Sequence, residues 1–122
     1  MNYSRDMYRL EIILEMCSDI EKIMNRFGKD YDTYLEDIAY YHSVNKCLEE
    51  IGESSGKFST EFKERYADMV DWRQIKLIRN LFAHAYVEMN DNKTWQTLTY
   101  FLPIYKNFCE NAFYELKKEM NE

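Results

Sequence analysis

Chain breakers are what this sequence has least of: its 122 residues include three glycines and one proline. Glycine and proline shape turns and end helices. Their scarcity argues against a turn-rich sandwich or barrel and points to long helices with short connections. Cysteine is sparse too. Cys17, Cys47 and Cys109 are odd in number, far apart and without a C-x-x-C, which excludes a disulfide framework and the usual zinc spacings. They read as isolated buried thiols in a reducing cytoplasm. No apolar run approaches membrane-spanning length. Residues 1–10 carry Arg5, Asp6 and Arg9 and lack the apolar stretch of a signal peptide. The expectation is a cytoplasmic chain with no membrane partner. Positive charge is also short: Lys and Arg total 16 against 22 Asp and Glu, a net charge of -6. A dedicated nucleic-acid binder is usually basic, so this balance argues mildly against tight, non-specific RNA binding, although a small local basic cleft remains compatible with it, and no DNA partner is expected. There is no internal repeat, and no G-x-G-x-x-G or G-K-[ST] motif to cradle phosphates.

What is present is apolar surface in helical order. Hydrophobic residues make up 46% and aromatics 16%, enough for one folded domain over residues 1–122. Leu10, Ile13, Leu14, Cys17, Ile20, Met24 and Phe27 recur at steps of three and four, predicting a helix from Tyr3 to Phe27 with Gly28 as its left-handed stop. A second helix is expected from Tyr31 or Asp32 to Gly56, with Leu35, Ile38, Ala39, His42, Leu48 and Ile51 on its inner face. His42 among those residues reads as a core or interface side chain. Its end is rich in small residues (Gly52, Ser54, Ser55, Gly56), which suits a tight helix crossing or a fraying end better than a phosphate nest. A short helix from Thr60 to Tyr66 follows, capped by Ser59 or Thr60 and carrying Lys63 and Arg65. Asp71, with Gln74 three residues on, should cap a third long helix from Trp72 to Tyr86. Asp91 or Asn92 should cap the last, from Thr94 to Met120. Its seam is Trp95, Leu98, Leu102, Tyr105, Cys109, Ala112 and Leu116, with a kink or a fresh start at Pro103. The fold class is all-α: an up-and-down bundle of four long helices plus a short one.

Arg79-Asn80-Leu81-Phe82-Ala83-His84-Ala85-Tyr86 is the stretch where chemistry concentrates. Seven residues separate Arg79 from Tyr86, so on a helix they differ by roughly 20° and share a face. Asn80 and His84, four apart, lie on a neighbouring stripe. Arg73, Lys76 and Arg79 form the densest positive patch in the chain. A permanent cation that forks onto phosphate, an imidazole that titrates near neutral pH, a phenol and an amide in one small volume suit phosphodiester cleavage. Each residue also has a plainer role open to it. Arg79 can pair with Glu49, Glu50 or Glu53, His84 can cap a helix C-terminus, and Tyr86 can pack its ring and wet its hydroxyl.

The stretch resembles the R-x4-H-x-Y motif of HEPN domains, in particular the HepT-like toxins. Trp72-Arg73-Gln74-Ile75 leading into Ile78-Arg79-Asn80-Leu81 is similar to that family's W-x-x-I and R-N-x-L segments. Ile51-Gly52-Glu53-Ser54 resembles its I-G-E-A, and Trp95 with Leu102-Pro103 its W and L-P. The resemblance departs at Phe101, where the family commonly has an acidic residue, and at Met89-Asn90, where it often has Val-Asp.

The resemblance implies a helical bundle that dimerises and cuts RNA in the cleft between two copies. The RNA supplies its own 2′-hydroxyl nucleophile, so no metal and no cofactor are expected. His84 is implied as general acid or base, Arg79 as the phosphate holder, and Tyr86 as its orienting phenol, with products ending in a 2′,3′-cyclic phosphate and a 5′-hydroxyl. Asn80, Arg73 and Lys76 are expected to support RNA binding. The implied partners are a second copy, RNA, and a minimal nucleotidyltransferase antitoxin that neutralises the toxin by binding or by transferring AMP to Tyr86. The competing expectations are a non-catalytic nucleotide- or partner-binding subunit of a two-component nucleotidyltransferase, and a purely structural dimerisation module.

Overall fold

The computed structural model describes residues 3–81 and 90–122. The first helix, α1 (Tyr3–Phe27), has the predicted bounds. Gly28 ends it at φ +96°, the left-handed conformation that glycine adopts without a steric penalty, and returns its N–H to the Met24 carbonyl at 2.8 Å. Leu10, Ile13, Cys17 and Ile20 are buried, as the period of the stripe requires.

The second helix differs from the expectation. It is two helices, α2 (Tyr31–Glu36) and α3 (Ile38–Gly56), broken at Asp37. Asp37 sits in extended backbone, and its carboxylate accepts the Tyr40 N–H at 3.0 Å. A short acceptor at that position competes with the helical ladder and caps the new start. Around the break Tyr34, Tyr40 and Val44 are buried while Leu35, Ile38, Ala39 and His42 are exposed; Leu48 and Ile51 are buried as expected. His42 is therefore a surface residue, its ring edge-on to Tyr41 at 5.4 Å.

Ser59 caps α4 (Thr60–Arg65) and Asp71 caps α5, whose described part is Trp72–Asn80. Asn90 caps α6 (Asp91–Gln96), one residue before the expected caps. Thr97–Phe101 is a π-turn, and α7 (Leu102–Met120) follows with Pro103 in its first turn. The wide turn answers the open question at Pro103: the extra residue lets the chain pass a position that has no N–H and would clash with the preceding turn. The seam Leu98, Leu102, Tyr105, Cys109, Ala112 and Leu116 is buried.

Helix α1 lies at the centre of the bundle, against α3 on one side and α7 on the other, and α5 packs on α3. No strand occurs among the described residues. Buried Asp6 ties α4 to α1: its carboxylate accepts the Ser59 N–H at 2.8 Å and the Ser59 hydroxyl at 2.6 Å. Among the described residues no helix is long and apolar enough to cross a membrane.

Candidate functional site

Helix α5 carries the positive patch, and three contacts aim it. The Asp71 carboxylate accepts the Arg73 N–H at 3.0 Å and starts the helix. Trp72 donates its indole N–H to the Lys63 carbonyl at 2.9 Å, tying α5 to α4. Ile75 and Ile78 are buried against the core. With that face inward, Arg73, Lys76, Arg79 and Asn80 are turned to solvent.

Arg79 lies in a slot cut into α3. A Cβ added to Gly52 would stand 3.1 Å from the Arg79 Cα, and one added to Gly56 would stand 3.2 Å from Arg79 Nη1. The arginine backbone rests on Gly52 and its side chain runs along α3 to Gly56. Of the two expectations for these small residues, a tight crossing or a fraying end, Gly52 and Gly56 serve the crossing. Arg79 Nε also meets Glu53 Oε1 at 3.3 Å. This is one of the carboxylates anticipated for it, but both side chains are nearly half exposed, at 46% and 45%. A solvated pair of this kind contributes little to stability and leaves the guanidinium accessible.

Beside the slot is a groove of about 260 Å³ lined by Gly52, Ser55, Gly56, Lys63, Lys76 and Arg79, with Trp72 and Ile75 at its wall. The floor is braced from behind. Ser55 donates to the Ile51 carbonyl at 2.7 Å and accepts the Tyr105 hydroxyl at 2.8 Å, and burial pushes the Tyr105 phenol well above its ordinary pKa. Lys63 reaches over the end of α3 and donates to the Gly56 carbonyl at 3.3 Å. The carbonyls at a helix C-terminus lack intrahelical partners and attract cations.

The predicted residues do not all share one volume. Lys76 and Arg79 line the groove against α3. Asn80 lies instead on the other flank of α5, where a larger cleft of about 600 Å³ runs between Gln74, Leu77, Asn80, Leu81, Lys93 and Tyr100. Consecutive residues on a helix point about 100° apart, which is why the pair separates. Arg73 borders a third depression, at the α4–α5 connection. His84 and Tyr86 lie outside the described residues. Lys63 is the groove residue that sequence reasoning missed as a site. Its only signal was a basic residue on a short helix, and its place beside Arg79 comes from packing alone. Among the described residues, no group of three or more His, Cys, Asp or Glu side chains is arranged to hold a metal.

Comparison with known proteins bears on this arrangement. The family described as "Ribonuclease HepT-like" matches residues 13–112. "Putative RNase MJ0125" of Methanocaldococcus jannaschii is 26% identical over 109 residues, covering 88% of this chain and 92% of that protein. "Putative RNase TTE0752" of Caldanaerobacter subterraneus subsp. tengcongensis is 27% identical over 114 residues, 93% of this chain and 88% of that protein. "Probable ribonuclease HepT" of Thermococcus cleftensis is 25% identical over 99 residues, 80% of this chain and 89% of that protein. No solved structure matches the chain significantly. A family match spanning most of the chain, on an all-α bundle that presents Arg79 to solvent, places the protein in the HepT-like ribonuclease family.

Proposed function

We propose that the chain is the toxin of a toxin–antitoxin pair and acts as a metal-independent endoribonuclease through Arg79, His84 and Tyr86. The observation that carries this reading is the family match over residues 13–112, which contains the whole R-x4-H-x-Y motif. The accessible guanidinium of Arg79, seated on glycines and flanked by Lys63 and Lys76, supports it.

The chemistry follows from the substrate. One His84 imidazole takes the proton of the RNA 2′-hydroxyl, and the freed oxygen attacks the adjacent phosphorus. Negative charge grows on the non-bridging oxygens, where Arg79 stabilises it with charge-assisted hydrogen bonds. Tyr86 orients the same phosphate. The bond to the 5′-oxygen breaks, and an imidazolium returns a proton to that oxygen. This leaves a 2′,3′-cyclic phosphate and a 5′-hydroxyl, with no net change in protons. Each chain offers one motif histidine, so two copies facing each other across a dimer cleft supply the base and the acid together. The partner that silences the site is a minimal nucleotidyltransferase antitoxin. AMP carried on Tyr86 places a phosphodiester beside Arg79 and fills the space the substrate needs.

The test is growth on induced expression of the wild type and of His84→Ala, with both proteins checked for solubility and helicity. Arrest by the wild type and not by the variant, with cleaved RNA ending in 2′,3′-cyclic phosphate, is the expected result. If both folded proteins are harmless, the nuclease reading fails, and a nucleotide-binding subunit of a two-component nucleotidyltransferase takes its place.

A further inference from the structure

The groove between α3, α4 and α5 gathers cations from two helices. Lys63 and Arg79 come from different helices and both close on Gly56, one through its carbonyl at 3.3 Å and the other at 3.2 Å from the place of an added Cβ. Lys76 lines the same groove and makes no hydrogen bond or ion pair among the described residues. No carboxylate is among the described lining residues, and Glu53 meets Arg79 through an exposed pair. Lys63 and Lys76 stand beside an Arg79 whose carboxylate partner Glu53 is nearly half exposed, so a further anion entering the groove is attracted by all three cations.

We infer that this groove binds the sugar-phosphate backbone of RNA, with Lys63 and Lys76 holding a phosphate next to the one that Arg79 engages. The inference rests on the nuclease reading of Arg79 and adds a second phosphate position to it. The ammonium of Lys63 has three donors, of which Gly56 takes one, leaving two for phosphate oxygens. Lys76 has all three. Gly52 and Gly56 let Arg79 lie flat on α3, which holds its guanidinium at the groove beside Lys63. At about 260 Å³ the groove falls just below the ~300 Å³ at which pockets for whole drug-sized ligands begin. A phosphate with its ribose suits that space, and the base is left outside. Recognition here is therefore of backbone charge and not of sequence.

The test uses the full chain carrying His84→Ala, so that nothing is cut, and a fluorescein-labelled single-stranded RNA. Binding is followed by anisotropy from about 50 to 200 mM salt, the range over which lost phosphate contacts register most clearly. Lys76→Ala removes a side chain that makes no hydrogen bond or ion pair among the described residues. It should weaken binding about fivefold, the worth of one solvated ion pair, and flatten the slope of log affinity against log salt by about 0.7. Lys63→Ala should do the same, while Lys63→Arg keeps the charge and should keep the slope. With His84 restored, the same variants should raise KM and leave kcat nearly unchanged. If RNA is cut by the wild type but affinity and slope are unaltered in folded Lys76→Ala and Lys63→Ala, the groove assignment is wrong and the nuclease reading stands. If RNA binds with groove-dependent slope but is never cut, the nuclease reading falls and the groove remains. Absence of any RNA binding at the lowest salt overturns the groove assignment outright.

Discussion

Gly52→Ala is the perturbation that most directly tests how Arg79 is held. In an ordinary helix interior this change is stabilising by up to about 1 kcal/mol, because glycine loses more backbone entropy on folding. Here the added methyl would stand 3.1 Å from the Arg79 Cα and 3.5 Å from its Cβ and N. Those are backbone-anchored atoms and cannot swing aside, so α5 must move off α3 by a few tenths of an ångström. Overpacking of that kind costs about 1–3 kcal/mol. Subtracting the gain in propensity leaves a net loss of about 1 kcal/mol, or about 3–6 °C in Tm for a domain of this size. Gly56→Ala is the internal control. Its methyl would meet Arg79 Nη1 at 3.2 Å and Cδ at 3.4 Å, atoms at the flexible end of a half-exposed side chain. Stability should therefore stay within about 0.5 kcal/mol, while the guanidinium is pushed from its seat and RNA cleavage slows about tenfold. Urea unfolding of the three proteins, paired with a cleavage assay, separates the two effects. A Gly52→Ala protein more stable than the wild type would refute the close α3–α5 crossing on which the site geometry depends.

Other expectations follow from the bundle. Asp6→Ala removes the buried acceptor of the Ser59 N–H and hydroxyl and should cost about 3 kcal/mol in urea unfolding, since hydrogen bonds to a charged group are each worth about 1.5–3 kcal/mol. Burial pushes the Cys17 thiol up to about 12 and the Cys109 thiol well above its usual value. Native protein should therefore yield to a thiol reagent only at half-buried Cys47, and all three cysteines should react in denaturant. Tyr41 is raised to about 12, first by burial and then by its bond to Asp91, and burial also raises Tyr34, Tyr66 and Tyr105. These phenols stay protonated in the folded state. Their contribution is full below the unfolded pKa near 10 and is lost as pH climbs through the folded values, so stability should fall from about pH 10 upward. Phenolate absorbance should then show several of the eleven tyrosines ionising in one cooperative step with unfolding; independent titration of all of them near pH 10 would contradict the burial.

Much of the architecture was legible because it is local. A stripe with period 3.6 and a glycine just past it specify α1 to the residue, since the information lies within one turn of each position. The caps at Ser59 and Asp71 were legible for the same reason. The break at Asp37 was not, because a single short carboxylate inside an otherwise continuous pattern must choose between ladder and cap. Around that cap Ile38, Ala39 and His42 turn to the surface, while Leu48 and Ile51 keep the buried face expected of them. The motif residues could be named from their order along the chain, but their grouping could not. Arg79 and Asn80 are neighbours in sequence and line different clefts, because α5 separates them. Lys63 and Arg79, sixteen positions apart in sequence, meet at Gly56 because two glycines let α5 sink onto α3. The sequence by itself determined the all-α class, the buried stripes of α1 and α7 and the family to which they belong. Only the tertiary structure decided which cations face one another, because that depends on how closely two helices cross, and the depth of the crossing is set by side chains that are missing.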